Sequence, residues 1–189
     1  MLLKKIYEIA IKKGLEKDPR KKSEIKEMLD RAKKEYNKLP KSEKSIFDKE
    51  RFRHPFDDTR ILNGDLDKDI KSILIGVDME VGELVLADRL KEMGRRIDLV
   101  IAHHPEGKAL AGFYNVMYMQ SNILNKLGVK KDVADDLLKE RIGEVGRNIS
   151  GINHTRSVDA ARLLDMPYMC IHTPADNHVT KFLQSIFDS

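Results

Sequence analysis

The chain has 189 residues, which suits one sizeable domain or one domain with a helical extension. Hydrophobic residues make up 41% of it and charged residues 35%, a balance typical of a folded protein with a heavily charged surface. No window approaches the roughly 18 apolar residues of a membrane span, and the N-terminus lacks the features of a signal peptide. A cytoplasmic protein without membrane contact is therefore expected, and the single Cys170, in an apolar run, is interpreted as a buried structural thiol.

The formal net charge of +4 is unevenly distributed along the chain. Residues 1–53 carry 18 Lys and Arg against 10 Asp and Glu, which leaves the remainder of the chain acidic. Such an asymmetry can mark a nucleic-acid contact. The lysines are interleaved with glutamates at the spacing of i,i+4 pairs, however, and this pattern favours a solvated helical face. Nucleic-acid binding is therefore the least favoured of the functions considered below.

The first part of the chain is expected to form a helical arm. Apolar residues at helical spacing predict helices over 2–14, 21–37 and 41–51. Four side chains of the second helix are expected to pack on the body or on a neighbouring subunit: Ile25, Met28, Leu29 and Tyr36. The stretch RHPFDDTRILNGD that follows is rich in Pro, Asp, Asn and Gly, as loops are. We place the boundary between an arm (1–55) and an α/β domain (56–189) there.

From residue 72 the pattern changes to strands that alternate with helices. Short β-branched apolar runs predict strands buried on both faces over 72–78 and 97–103, and a third strand over 167–173. A helix over 81–94 completes a strand–helix–strand unit, for which parallel strands are expected. Further helices are predicted over 113–127, 131–146, 157–165 and 177–189. This alternation predicts an α/β fold with a mostly parallel sheet and flanking helices.

Residues with metal-binding chemistry follow the predicted strands. His103 and His104 lie at the end of the second strand, and Asp176 lies just past the third. Because the carboxyl ends of parallel strands share one edge of a sheet, a histidine and Asp176 are expected within about 6 Å of each other. Asp78, at the end of the first strand, and Glu106, two residues after His104, are the candidate catalytic bases.

The adjacent histidines allow two kinds of metal site. On an extended chain their side chains point to opposite sides, so they reach two ions, or they converge on one where the backbone turns. Asp176 has two oxygens and can bridge a pair of ions, and this donor set suits Zn, Fe, Mn, Ni or Co. The structural alternatives are that Asp176 caps the helix predicted from residue 177 and that His172 is a core imidazole bonded to backbone. No glycine-rich phosphate loop or nucleophile elbow competes.

The segments GVDMEVGE, LVIAHHPEG and MCIHTPADNHV resemble the Nif-three-like (NGG-one-interacting factor three-like) dinuclear metal-centre family, also known as GTP cyclohydrolase I type 2-like. The resemblance covers about residues 60–189. It implies two divalent ions held by the histidines of HHP and the aspartate of HT-x-x-D, which are His103, His104 and Asp176 here. It also implies a homo-oligomer, often a ring-shaped hexamer, and a hydrolase acting on a small-molecule or nucleotide-like substrate.

One feature of the family pattern is missing from this sequence. Members complete the site with a further His and Glu from a C-terminal segment, and this chain carries no such pair. It is expected to be either the N-terminal part of a longer protein or a reduced form with an incomplete site. Two functions therefore stand: a metal-dependent hydrolase, and a non-catalytic metal-binding or regulatory scaffold that acts through protein partners.

Overall fold

A computed structural model describes residues 1–189 and contains one four-stranded sheet. Its strands are β1 (Arg60–Asn63), β2 (Ile73–Gly76), β3 (Leu99–Ala102) and β4 (Tyr168–Cys170). Their order across the sheet is β1-β4-β3-β2. Strands β2, β3 and β4 run parallel, whereas β1 pairs antiparallel with β4. The sheet is therefore mixed.

The predicted α/β class is confirmed, but the prediction of a mostly parallel sheet was wrong. Strand β1 lies within the stretch that composition assigns to a loop. It has only four residues, too few to display an alternating pattern, and its partner β4 lies more than 100 positions further along the chain. Because that pairing is long-range, no local pattern indicates it.

Nine helices surround the sheet, and two short 3-10 turns interrupt the series at Lys49–Phe52 and Phe113–Met117. The helices are α1 (Leu3–Glu16), α2 (Lys22–Lys38), α3 (Lys41–Ile46), α4 (Val81–Glu92), α5 (Gly107–Gly112), α6 (Tyr118–Lys126), α7 (Lys131–Ser150), α8 (Arg156–Leu163) and α9 (Thr173–Phe187). None of them is long and apolar enough to cross a membrane. Helix α9 begins four residues before its predicted start. Its first turn contains Pro174, and proline is favoured there because the first N–H groups of a helix have no partner within the helix.

Apolar side chains cover both faces of the two central strands. On one face, Val100 and Tyr168 join a cluster that includes residues of α4 and α8. On the other face, Leu99 and Met169 pack with Leu3 and with other residues of and near α1. All four strand residues are fully buried, which confirms the burial predicted for the second predicted strand.

The first predicted strand does not share this burial. Strand β2 lies at the edge of the sheet, and its Ile73 and Ile75 are 40% and 65% exposed. An apolar run correctly predicts burial on both faces only if the strand is central in its sheet. The residues of a strand do not by themselves indicate whether it is central or at the edge.

The N-terminal helices serve two different purposes. Helix α1 belongs to the core of the sheet through Leu3 and Tyr7. Helix α2 is tied to α6 by the Asn122 amide, which donates to Glu24 at 2.9 Å. Tyr36, which was expected to pack on the body or on a neighbouring subunit, contacts Phe47 and Phe52 of the arm itself, with ring centroids 5.3 Å apart in each case. A domain boundary at residue 55 stays a prediction.

Burial makes the single thiol, that of Cys170, unreactive toward reagents in solution. Cys170 is fully buried in β4, and this burial raises the pKa of its thiol to about 11. At pH 8 only about one molecule in a thousand would then carry the reactive thiolate, far less than for a free cysteine. We expect iodoacetamide to label Cys170 in urea but not in the native protein, with free cysteine as the control. Native labelling at the free-cysteine rate would contradict the burial.

Candidate metal centre

Three histidines converge where β3 and β4 end. Strand β3 continues into His103 and His104, whose backbone N–H groups donate to Gly76 and Val77 of the neighbouring chain segment at 2.9 Å. His172 follows β4, and its ring is stacked on that of His103 with centroids 4.8 Å apart. One ligand nitrogen from each histidine lies within 4.8 Å of the other two. The parallel arrangement of β3 and β4 thus brings the rings together.

Each of these imidazoles has an oxygen partner at its Nδ1 atom. For His103 it is the carbonyl of Ile171 at 3.3 Å, and for His104 it is the carboxylate of Asp78 at 2.6 Å. For His172 it is the carboxylate of Asp58 at 2.9 Å. An imidazole that donates its Nδ1–H to such an acceptor leaves Nε2 free as a ligand. These Nδ1 contacts are of the kind made by histidines that bind a metal through Nε2.

Asp176 lies against the histidine cluster from the first turn of α9. Its Oδ1 is 3.4 Å from Nε2 of His103, and its Oδ2 is 3.6 Å from Nε2 of His172. The separation is inside the 6 Å expected from the sequence. Asp176 is not a helix cap, because α9 starts three residues earlier, at Thr173. The carboxylate is half exposed and is left available to a ligand.

The two candidate bases lie in different surroundings. Asp78 is exposed beside His104 and accepts a hydrogen bond from its ring. Glu106 is buried and accepts a hydrogen bond from Ser157 of α8 at 2.7 Å. Burial raises the pKa of Glu106, although the bond from Ser157 partly opposes this. Glu106, Asp78 and Asp176 all lie outside the group of three histidines whose ligand atoms gather within 4.8 Å.

Two residues of this centre, His172 and Asp58, were not among the site residues predicted from the sequence. A core imidazole bonded to backbone was one alternative for His172, yet its side chain is only partly buried and bonds the Asp58 carboxylate. Asp58 lies in the stretch assigned to a loop and is fully buried. The signal for His172 was its i,i+4 spacing to Asp176, which places both on the same side of a helix start. Nothing local to Asp58 distinguishes it from Asp57.

The protonation of His172 reflects two opposed effects. Burial lowers the pKa of its imidazole, because a charged ring loses hydration. The hydrogen bond and the charge of Asp58, with the charge of Asp176, outweigh burial, so the pKa is raised. Without a cation in the cluster, the two carboxylates thus favour a proton on this ring. A metal ion would have to displace that proton.

One solved structure matches the chain, that of a NIF3 superfamily protein from Sphaerobacter thermophilus, with a TM-score of 0.56 and 27% identity. The chain is similar to a NIF3 superfamily protein. The match covers 78% of this chain and 46% of the NIF3 superfamily protein, so the chain spans less than half of its length. No family model matches the chain, and no curated protein matches it.

Proposed function

We propose that the chain is a divalent-metal-binding protein of the Nif-three-like family. The observation that carries the proposal is the set of three imidazoles whose Nδ1 atoms are all engaged by oxygen acceptors while their ligand nitrogens gather within 4.8 Å. Metal-ligating histidines nearly always have such an acceptor on the other ring nitrogen. The proposed ligands are His103, His104, His172 and Asp176. The similarity to a NIF3 superfamily protein supports the same reading.

We further propose that two ions bind, with Asp176 as the bridge. Its two oxygens face two different imidazoles, those of His103 and His172, and this is the placement that a bridging carboxylate needs. Nitrogen and carboxylate ligands favour Zn, Fe, Mn, Ni or Co over Ca. When bound, such ions supply Lewis acidity and an activated water, which is the chemistry of metal-dependent hydrolysis.

The chain's own residues would then orient ligands and handle protons. Asp78 holds the His104 ring through Nδ1 and, being exposed, is the better placed of the two candidate bases. Glu106 is engaged by Ser157, which favours a supporting role in holding α5 against α8. The substrate would be a small molecule or a nucleotide-like compound with a hydrolysable bond, reached from the exposed side of His104.

A non-catalytic scaffold is the second candidate, and one observation favours it. The last residues of α9 are exposed along their whole length, although every third or fourth of them is apolar. The exposed apolar residues of this stripe are Val179, Phe182, Leu183, Ile186 and Phe187. Apolar stripes of this kind are normally covered by a partner surface. A homo-oligomer, up to a hexamer, is the partner that the family resemblance suggests.

Metal titration of the purified chain tests the proposal. We expect Zn²⁺ or Co²⁺ to bind in a ratio of two per chain, measured by calorimetry and by elemental analysis after desalting. The double variant His103→Ala/His172→Ala should lose tight binding, because it removes both imidazoles that face Asp176. The control is His178→Ala, which changes an exposed histidine of α9 outside the cluster. Unchanged binding by the double variant would reject the site, and a ratio of one would reject the bridge.

A further inference from the structure

The carboxylate of Asp58 is fully buried and has no lysine or arginine as an ion-pair partner. Burying a carboxylate is costly unless hydrogen bonds replace its hydration. Its Oδ2 atom accepts from Nδ1 of His172 at 2.9 Å, from the backbone N–H of Thr173 at 3.2 Å and from the Thr173 hydroxyl. Its Oδ1 atom accepts from the Thr59 hydroxyl at 3.2 Å. Nearly all of these donors belong to the HT-x-x-D segment.

We infer that Asp58 is the positioning residue that holds both proposed ligands of this segment, His172 and Asp176, in place. The inference rests on the proposed metal-binding function. A single carboxylate in the loop ahead of β1 would then position two groups that lie more than 110 positions further along the chain.

The first part of this role is the orientation of the His172 ring. A neutral imidazole carries its hydrogen on one nitrogen only. The Asp58 carboxylate can only accept, so it selects the form with hydrogen on Nδ1 and leaves Nε2 as a lone pair. That Nε2 atom faces Asp176, at 3.6 Å from its Oδ2. The ring also forms a T-shaped pair with Phe113, with centroids 5.6 Å apart.

The second part is the start of α9. The first N–H groups of a helix have no partner within the helix and are normally met by the side chain of the capping residue. The capping position of α9 is His172, and its side chain makes no capping bond. Asp58 takes that place from a distant part of the chain by accepting from the Thr173 N–H. Because Asp176 lies in this first turn, the same bond helps to fix where its carboxylate points.

A purely structural tie is the competing explanation, and the neighbouring Asp57 separates the two. Asp57 is also buried, but its carboxylate bonds Arg60 at 3.2 Å and Asn115 at 2.9 Å, away from the histidines. Replacing either aspartate should reduce folding stability. Only the loss of Asp58 should change the metal centre.

The experiment compares Asp58→Ala, Asp58→Asn and the control Asp57→Ala in the full chain. Zn²⁺ affinity is measured by calorimetry, and the hydrogen position on the His172 ring is measured by ¹⁵N NMR of the metal-free protein at pH 8.5. We expect Asp58→Ala to lose roughly 100-fold in affinity and to move the hydrogen to Nε2. Asp58→Asn should lose only about 10-fold, because its amide oxygen still accepts but carries no charge. Asp57→Ala should bind as the wild type does.

Wild-type affinity and an unchanged His172 ring in Asp58→Ala would overturn the inference. If Asp58→Ala does not fold, Asp58→Asn decides, because a metal affinity equal to that of the wild type in this variant would overturn the inference as well. If the wild-type chain binds no metal, the proposed function fails, while the ring measurement still decides whether Asp58 orients His172.

Discussion

Replacing Asp176 by alanine is expected to weaken metal binding by at least about 100-fold, more than the loss of any single histidine. In the proposed two-ion site the bridging carboxylate would serve both ions, whereas each imidazole would serve one. Asp176 contacts the Nε2 atoms of both His103, at 3.4 Å, and His172, at 3.6 Å. Competition with a chromophoric chelator measures the affinity of Asp176→Ala, His103→Ala, His104→Ala and His172→Ala on one scale.

The control for this series is Asp188→Ala. Asp188 follows the last residue of α9, and its carboxylate accepts a hydrogen bond from Gln184. It should bind metal as the wild type does. Because Asp176 is half exposed and caps no helix, its removal should leave thermal unfolding of the metal-free protein nearly unchanged. Equal metal affinity in Asp176→Ala and wild type would contradict the bridge.

Replacing Arg60 by alanine is expected to destabilise the fold by about 3–5 kcal/mol, the cost of breaking a buried ion-pair network from one side. The Arg60 side chain is 1% exposed and donates to Asp48 at 2.8 Å and to Asp57 at 3.2 Å. It also donates to the backbone carbonyls of Phe56 and Thr59. Without it, the Asp57 carboxylate, which is 12% exposed, and both carbonyls lose a donor where water reaches poorly, whereas Asp48 is 32% exposed.

Urea unfolding followed by circular dichroism measures this effect. The matched control is Arg89→Ala, which breaks the pair of Arg89 with Glu92 on the exposed face of α4. Exposed pairs of this kind contribute little, so the control should unfold close to the wild-type midpoint. If Arg60→Ala lost no more folding stability than Arg89→Ala, the buried contacts of Arg60 would not be what stabilises the segment ahead of β1 against the sheet.

Local sequence patterns are sufficient to predict the burial of a strand that is covered on both faces. The apolar run of β3 predicts a strand buried on both faces, and β3 is central in the sheet. The same kind of run failed for β2, because a strand at the edge of a sheet has one uncovered side that its own residues do not reveal. The predicted start of α9 lies four residues too late, because Pro174 was left outside the predicted helix although proline is favoured in a first helical turn.

The sequence by itself determined that His103 and His104 end a parallel strand, and that Asp176 follows the next strand closely enough to meet them. This could be known because the carboxyl ends of parallel strands share an edge, so the strand positions alone place the side chains. Only the tertiary structure decided that His172 joins them and that Asp58 holds it. A buried carboxylate and the imidazole it orients lie 114 positions apart, and contacts at such separation leave no periodic trace in either segment. The antiparallel pairing of β1, which delivers Asp58 to this edge, is of the same long-range kind.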